Sequence, residues 1–340
     1  MTAQNLQVHH VSDQVSGALT TCDESFVRFT LMPVLAPLPH WNLMTDLIAK
    51  PFPGYALIDS GDGRKLEEIA GLLVDRASPA PLWRPRLATE VWSGAAGRVE
   101  RRTDGGGNWQ WRERDPGELR LAYEIGQRRL NLLLRFTSFG HCGIFPEQEP
   151  VWRLLHRAVA KRGRCKALNL FGYTGAASLA MAAAGAEVFH VDSAKGVLTW
   201  GKSSADASDL GDGTVRWVHE DCMAFLDHSR RKGFRYDVIC ADPPAWGHGK
   251  TKDQMWRIEE QLQALADLLA GVLAPNGLVI LCAHAPGVQS DAVSNVLAAA
   301  GLPVAFAGDL LQSHRDDERR MPAGVFAVSG SDAADLVEPG

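Results

Sequence analysis

A chain of 340 residues is long enough for two domains, each with its own core, and 46% hydrophobic with 22% charged residues is an ordinary globular balance. A formal net charge of −5 gives no basic footprint for nucleic acid over the whole chain. No run approaches the ~18 apolar residues of a membrane span, no charged-then-apolar leader opens the chain, and the six cysteines form no CxxC pair. Reduced core thiols, no metal centre and a cytoplasmic location are therefore expected.

Residues 1–45 read as an N-terminal extension or lid; Phe26–Leu35 has strand character until Pro33, Pro37 and Pro39 break it. Tyr55–Ile58, the turn Asp59-Ser-Gly-Asp-Gly63 and Arg64–Ile69 read as strand, turn, strand. With strand candidates at Asn108–Arg112 and Leu130–Phe136, residues 46–140 form a small β-rich domain. Its tryptophans, Trp83, Trp92, Trp109 and Trp111, are expected mainly in packing. Phe136–Glu149, FTSFGHCGIFPEQE, mixes glycines, aromatics and polar groups, and reads either as a linker or as the lip of a binding site.

From residue 141 to residue 332 helices and strands alternate, which predicts a Rossmann-like doubly wound, mostly parallel α/β sheet. Helix 151–161 leads to strand Ala167–Phe171, a glycine turn, the small-residue helix Ala176–Ala184 and strand Glu187–Val191. Helix 194–207, strand Val215–His219, helix 222–232 and strand Asp237–Ala241 follow. A long helix, Asp253–Leu273, stops at Pro275-Asn276-Gly277 before strand Leu278–Ala283. Helix 288–299, strand 302–307 and a strand near Gly324–Val328 close the set, the last as a hairpin-like antiparallel edge.

Ligands of such sheets bind beyond the carboxyl ends of the strands, and four consecutive strands here end in polar signals. The first runs Asn169-Leu-Phe171-Gly172-Tyr173-Thr174-Gly175, whose glycines let backbone N–H groups approach a ligand at a helix start. The second delivers Asp192 about twenty residues later, where doubly wound folds place the acid that grips ribose hydroxyls. The third ends on Asp221, where an adenine amino group would find an acceptor; a helix cap is the plain alternative. The fourth ends in Asp242-Pro243-Pro244, a stiff turn with Trp246 on the same loop. Together they predict a nucleoside-containing ligand.

The run LNLFGYTGAASLA…GAEVFHVDSAK…VRWVHEDCMAFL…YDVICADPPAWGHG resembles the class I S-adenosylmethionine-dependent methyltransferases. More closely it is similar to the branch that holds the bacterial large-subunit rRNA cytosine-C5 methyltransferases, over about residues 130–330. The resemblance implies S-adenosylmethionine as cofactor, with the glycine turn cradling the methionine part, Asp192 and Ser193 at ribose, Asp221 and Cys222 at adenine, and Asp242 facing the methyl group. Gly143, Phe145 and Gln148 lie in a segment similar to a family motif that reaches the methionine end.

Departures from that branch redirect the expectation. Cytosine C5 chemistry uses a nucleophilic cysteine after the fifth strand; here His284 stands there, and Cys282 reads as an inward-facing strand residue. His284 reads as a base or as a capped strand end, and His141 and His248 pose the same question more weakly. Asp242 is the expected base, with Tyr173 and Trp246 offering π faces to the cationic sulfur. A small-molecule acceptor is therefore expected rather than rRNA, with nucleic acid disfavoured as a partner. The alternatives are cyclisation of the cofactor to azetidine-2-carboxylate, as in related enzymes of secondary metabolism, and a non-catalytic cofactor sensor.

Overall fold

The runs Ala167–Leu170, Val238–Ala241 and Leu278–Ala283 are apolar without alternation, as strands covered on both faces must be. The computed structural model of the protein describes residues 44–101, 106–248 and 255–336 and places these runs at the centre of an eight-stranded sheet. Residues 1–43, with the expected lid and the strand at Phe26–Leu35, lie outside the described residues.

In chain order, β1 (Leu47–Ala49) is followed by β2 (Tyr55–Gly61), β3 (Arg64–Ile69), β4 (Leu72–Ala77), helix α1 (Thr89–Ser93), β5 (Gly97–Arg101) and β6 (Gly107–Trp111). A hairpin of β7 (Leu119–Ile125) and β8 (Arg128–Leu134) comes next. Then α2 (Glu149–Arg162), β9 (Lys166–Leu170), α3 (Ala176–Ala183), β10 (Glu187–Asp192), α4 (Lys195–Ala207), β11 (Val215–His219), α5 (Cys222–Lys232) and β12 (Tyr236–Ala241) alternate. A small hairpin of β13 (Trp246–His248) and β14 (Met255–Arg257) precedes α6 (Ile258–Val272), β15 (Leu273–Ala283), α7 (Ser290–Ala299), β16 (Val304–Ser313) and β17 (Arg320–Ser329).

The large sheet runs β1-β16-β17-β15-β12-β9-β10-β11, parallel throughout except for β17, which is antiparallel to both neighbours. Along β15 the side chains alternate between its faces: Leu278, Ile280 and Cys282 join one core, and Val279, Leu281 and Ala283 the other. Leu154 and Leu155 of α2 and Leu179 of α3 cover the first face. Leu226 of α5, Leu265 and Leu269 of α6, and Val293 and Leu297 of α7 cover the second. Each such side chain contributes roughly 1.5–3 kcal/mol when fully buried. Among the described residues no helix is long and apolar enough to cross a membrane.

Several expectations need correction. The antiparallel strand is not an edge: β16 doubles back beside it, and β1, assigned above to the small domain, pairs in parallel with β16 to form the edge. Nor does the β-rich segment have a core of its own, since Tyr55, Ile69, Val74, Leu121 and Tyr123 are continuous with the first face of the large sheet. The long helix begins only at Ile258, because residues 255–257 pair with Trp246–His248. Pro275-Asn276-Gly277 sits inside β15 as a bulge: Tyr236 pairs with Leu273 and Val238 already with Leu278, with Asn276 at φ 59°.

The five-stranded sheet β2-β3-β4-β5-β6 contains β4 and β5, which the sequence pattern hides. In β4 the alternation is broken by Asp75 and Arg76, both buried. Glu67 of β3 explains why: Arg76 Nε lies 2.6 Å from Glu67 Oε2 and Arg76 Nη2 2.9 Å from Oε1, with Lys65 Nζ at 3.1 Å and the Tyr55 hydroxyl donating at 2.9 Å. Burial alone would raise the Glu67 carboxyl, but Arg76 and Lys65 hold it down at about 2. A depressed carboxyl stabilises the fold above its unfolded value and loses that contribution as pH falls through the folded value. Urea unfolding from pH 5 to pH 2 should therefore cost the wild type on the order of 3 kcal/mol more than Glu67→Gln. Parallel pH dependences for the two proteins would contradict this.

Candidate functional site

Strand β9 is hydrogen-bonded to β10 on one side and β12 on the other, so the strand order reverses there and a crevice opens beyond their carboxyl ends. The turn leaving β9 fills one wall. Phe171, Tyr173 and Gly175 have φ of 54°, 51° and 88°, while Gly172 and Thr174 between them do not go positive. The turn's N–H groups are bonded within the protein: Phe171 N to Cys222 Sγ, Gly172 N to the Val191 carbonyl, Tyr173 N to Asp192 Oδ2 and Gly175 N to the Gly172 carbonyl. Left-handed conformation at two aromatic residues costs about 1–3 kcal/mol each, so the surroundings must enforce it.

Enforcement comes from below and from the side. Asn169 Nδ2 donates to Ser178 Oγ at 2.9 Å, and Ser178 Oγ lies 2.9 Å from His190 Nδ1. The hydroxyl thus bridges the amide and the imidazole ring beneath the turn. Burial drives His190 down to about 3, so the ring is neutral. Its Cε1 would stand 2.4 Å from a Cβ on Gly172, which is why that position is glycine. From the side, the Thr174 hydroxyl donates to the Gly143 carbonyl. Gly143 itself is at φ 100°, where a Cβ would come within 2.3 Å of the Trp200 ring. Phe145 and Tyr173 pack at 5.0 Å between centroids, with His141 and Trp200 about the same Tyr173 ring at 6.2 and 6.1 Å.

The segment that holds Gly143, Phe145 and Gln148 thus packs along the turn as a lip of the crevice. Arg76 anchors it from the small sheet by donating to the Gly140 carbonyl at 3.0 Å. No sequence signal pointed to this arginine.

Asp192 ends β10 beside the turn; its Oδ2 accepts from Tyr173 N at 2.9 Å and its Oδ1 from Ala194 N at 2.8 Å. Burial raises its carboxyl, against those backbone donors. Ser193 follows, its carbonyl 2.9 Å from His219 Nε2. Asp221 is half-buried and caps α5 through Ala224 N at 2.9 Å, so the plain cap reading holds for one of its oxygens. Two expected contact residues face away from any ligand. Asn169 is committed beneath the turn, and the Cys222 thiol is buried, accepting from Phe171 N at 3.2 Å. Burial also pushes the Tyr173 phenol well up, which makes that ring a wall and not a proton acceptor.

On the opposite wall, Asp242 leaves β12, followed by buried Pro243 and exposed Pro244. Trp256 Nε1 donates to the Pro244 carbonyl at 2.6 Å and its ring packs on Phe171 at 5.2 Å, tying this loop to the turn. Trp246, on β13, is 61% exposed; of His248 only the backbone is described. Gln148 Nε2 donates to Asp242 Oδ2 at 2.9 Å and lies 2.7 Å from His284 Nε2, while His284 Nε2 is 3.2 Å from Asp242 Oδ1. The last distance is that of an ion pair without the alignment of a hydrogen bond. His284 is therefore joined to Asp242, a link its sequence position did not reveal. The site fits a zwitterionic, positively charged nucleoside cofactor. Its positive charge would meet Glu147 Oε2 and Asp242 Oδ1, buried oxygens without hydrogen-bond donors.

Comparison with known proteins agrees with this geometry. A family model described as S-adenosylmethionine-dependent methyltransferase matches residues 88–315. The chain is 29% identical over 181 residues to the ribosomal RNA large subunit methyltransferase K/L of Shewanella sp. (strain ANA-3), a match covering 50% of this chain and 25% of that protein. It thus spans about a quarter of the length of such relatives. The SAM dependent methyltransferase from Agrobacterium tumefaciens shares 31% identity and a TM-score of 0.80, covering 88% of this chain and 97% of that one. SMU.776, a candidate methyltransferase complexed with SAH, shares the fold at 18% identity and a TM-score of 0.61 over 81% of this chain and 75% of that one.

These relatives correct the acceptor expectation. A small molecule, with cofactor cyclisation, sensing and secondary metabolism as its companions, does not stand, because relatives that match half the chain are named for ribosomal RNA. The weighting against nucleic acid falls with it. Whole-chain charge misled because it averages over segments: residues 97–135 hold nine arginines against six acids, opposite in sign to the chain's −5.

The steric part of the site is testable without a substrate. Gly172→Ala should destabilise the fold by about 1–3 kcal/mol in urea unfolding, as the His190 ring is displaced. An unchanged midpoint would refute the packing.

Proposed function

The chain belongs to the S-adenosylmethionine-dependent methyltransferase family, and from that premise we propose that it methylates a nitrogen atom of a base in large-subunit ribosomal RNA. It is an enzyme that transfers methyl groups, and S-adenosylmethionine is its cofactor. The names of its relatives support the RNA substrate, and such a substrate places the protein in the cytoplasm.

The observation that carries the choice of nitrogen is the carboxylate of Asp242, three-quarters buried and held between Gln148 and His284, with no exposed thiol among the described residues. Carbon-5 of a pyrimidine must first be activated by addition of a thiolate, whereas a nitrogen brings its own lone pair. All five described cysteines are buried. Cys282 is fully so, with its thiol pushed well up by burial and lying 3.8 Å from the Gln148 carbonyl oxygen.

On this reading Gly143, Phe145 and the Phe171–Gly175 turn frame the methionine end of the cofactor, Asp192 and Ser193 the ribose, and Asp221 with the start of α5 the adenine. Bound there, the cofactor supplies a methyl group already activated on a sulfonium, so the protein's work is alignment and exclusion of water. Pro243 and Pro244 stiffen the loop that presents Asp242. Its carboxylate accepts the acceptor's N–H as a hydrogen bond and takes the proton that nitrogen gives up as it gains the methyl. Trp246 offers an exposed face on which a base drawn out of its helix would stack.

The direct test is incubation with isotopically labelled S-adenosylmethionine and deproteinised large-subunit rRNA, followed by nuclease digestion and mass spectrometry. A labelled N-methyl nucleoside is expected; label on a pyrimidine C5, or on no nucleoside, would overturn the reading. Asp242→Asn should lower kcat at least a hundredfold with cofactor Kd within threefold. Asp192→Ala should instead weaken cofactor binding tenfold or more by calorimetry.

A further inference from the structure

We propose that His284 and Gln148 are positioning residues that hold the Asp242 carboxylate in one orientation toward the acceptor's N–H. The inference rests on the nitrogen-acceptor reading above and assigns roles within that same site.

Topology brings the three together. β12 and β15 are parallel neighbours in register, Ala241 beside Leu281, so Asp242 and His284 leave adjacent carboxyl ends of the sheet. Side chains alternate along β15, and Cys282 belongs to the face covered by α2, so His284 two residues later projects to the same side. Gln148 enters from that side, at the end of the 3-10 turn Pro146–Gln148 that precedes α2.

Hydrogen bonding then fixes the ring. The Ala323 carbonyl of β17 lies 2.6 Å from His284 Nδ1 and accepts its proton, which leaves Nε2 to face Asp242 Oδ1 at 3.2 Å and the Gln148 amide at 2.7 Å. The carboxylate is therefore approached on Oδ1 by the ring and on Oδ2 by Gln148 at 2.9 Å. A carboxylate has about four lone-pair sites, so two such partners leave acceptor capacity for a substrate. With its side chain 25% exposed, Asp242 keeps that capacity open to the crevice.

The ring's charge follows from its neighbours. The charged groups facing it are Asp242 at the end of β12 and Glu147 on the 3-10 turn. Burial opposes the charge, but Asp242 foremost and then Glu147 raise His284 to about 9. The cation is thus present below that pH and lost above it. While Nε2 is unprotonated it accepts from the Gln148 amide nitrogen at 2.7 Å; once protonated it turns to Asp242 Oδ1, and Gln148 keeps its amide nitrogen on Oδ2.

A scaffold role and a positioning role predict different results. In cofactor-free protein, NMR should show one histidine ring titrating near 9, and Asp242→Asn should bring it to its ordinary 6.5 or below. On rRNA, the wild-type kcat should fall as pH rises through 9. His284→Gln should lower kcat at least tenfold, lack that basic limb, and leave cofactor Kd within twofold. His284→Lys should recover part of the lost rate because it restores the cation. A ring that titrates at its ordinary value in the wild type, or a fully active His284→Gln that keeps the limb, would overturn the proposal. If no RNA nitrogen is methylated while the ring still titrates near 9 and drops in Asp242→Asn, the acceptor reading fails and the coupling of His284 to Asp242 stands.

Discussion

The backbone at Phe171 and Tyr173 runs left-handed, and much of the molecule is arranged to keep it so. A chain free to relax would release that strain, because non-glycine residues gain by returning to the right-handed region. Here relaxation is blocked on every side. The Asn169–Ser178–His190 chain lies beneath, Asp192 holds Tyr173 N, Thr174 is fastened to the Gly143 carbonyl, and Trp256 packs on Phe171. The turn's shape is thereby present in the fold itself, so little ordering remains for a ligand to supply.

The small β-rich segment takes on a clear purpose in this light. It shares a core with one face of the large sheet, and Arg76, buried beside Glu67, reaches out of it to Gly140 at the base of the lip. An ion pair at that depth must first offset the desolvation of both charges, and here the attraction exceeds it, since Glu67 is held at about 2. It also provides direction: a planar guanidinium fixed by two bonds to one carboxylate can aim its remaining N–H groups only one way. The lip is thus set by the small sheet and the turn by the large one, and Gly143–Thr174 is where they meet.

On the far wall the same logic applies to charge. Asp242, at the end of β12, is approached from two further elements: His284 beyond the end of β15 and Gln148 on the 3-10 turn. Proline stiffness holds the loop, Trp256 fastens it, and exposure is left to the carboxylate and to Trp246. A chain with this wall is suited to an acceptor that carries its own lone pair and must lose a proton.

Much of this was legible in the amino-acid order alone. Alternating apolar runs, Gly185 and the polar strand ends predicted the parallel sheet, the glycine turn and the acids at Asp192, Asp221 and Asp242, because strand burial and turn chemistry are local properties with fixed periods. The cofactor followed from the same motifs. The sequence did not show β4, whose buried Asp75 and Arg76 look like a solvated segment until their partners are seen. Nor did it show β1 at the sheet edge, paired with residues more than 250 positions away, or the commitment of Asn169 and Cys222 beneath the turn. His284 read as either a base or a strand end, and its 3.2 Å contact with Asp242 was not legible at all. Each of these depends on a contact between different elements of the folded chain, from nine residues apart for Arg76 and Glu67 to more than 250 for β1 and β16. Periodicity carries no record of that; only the folded chain does.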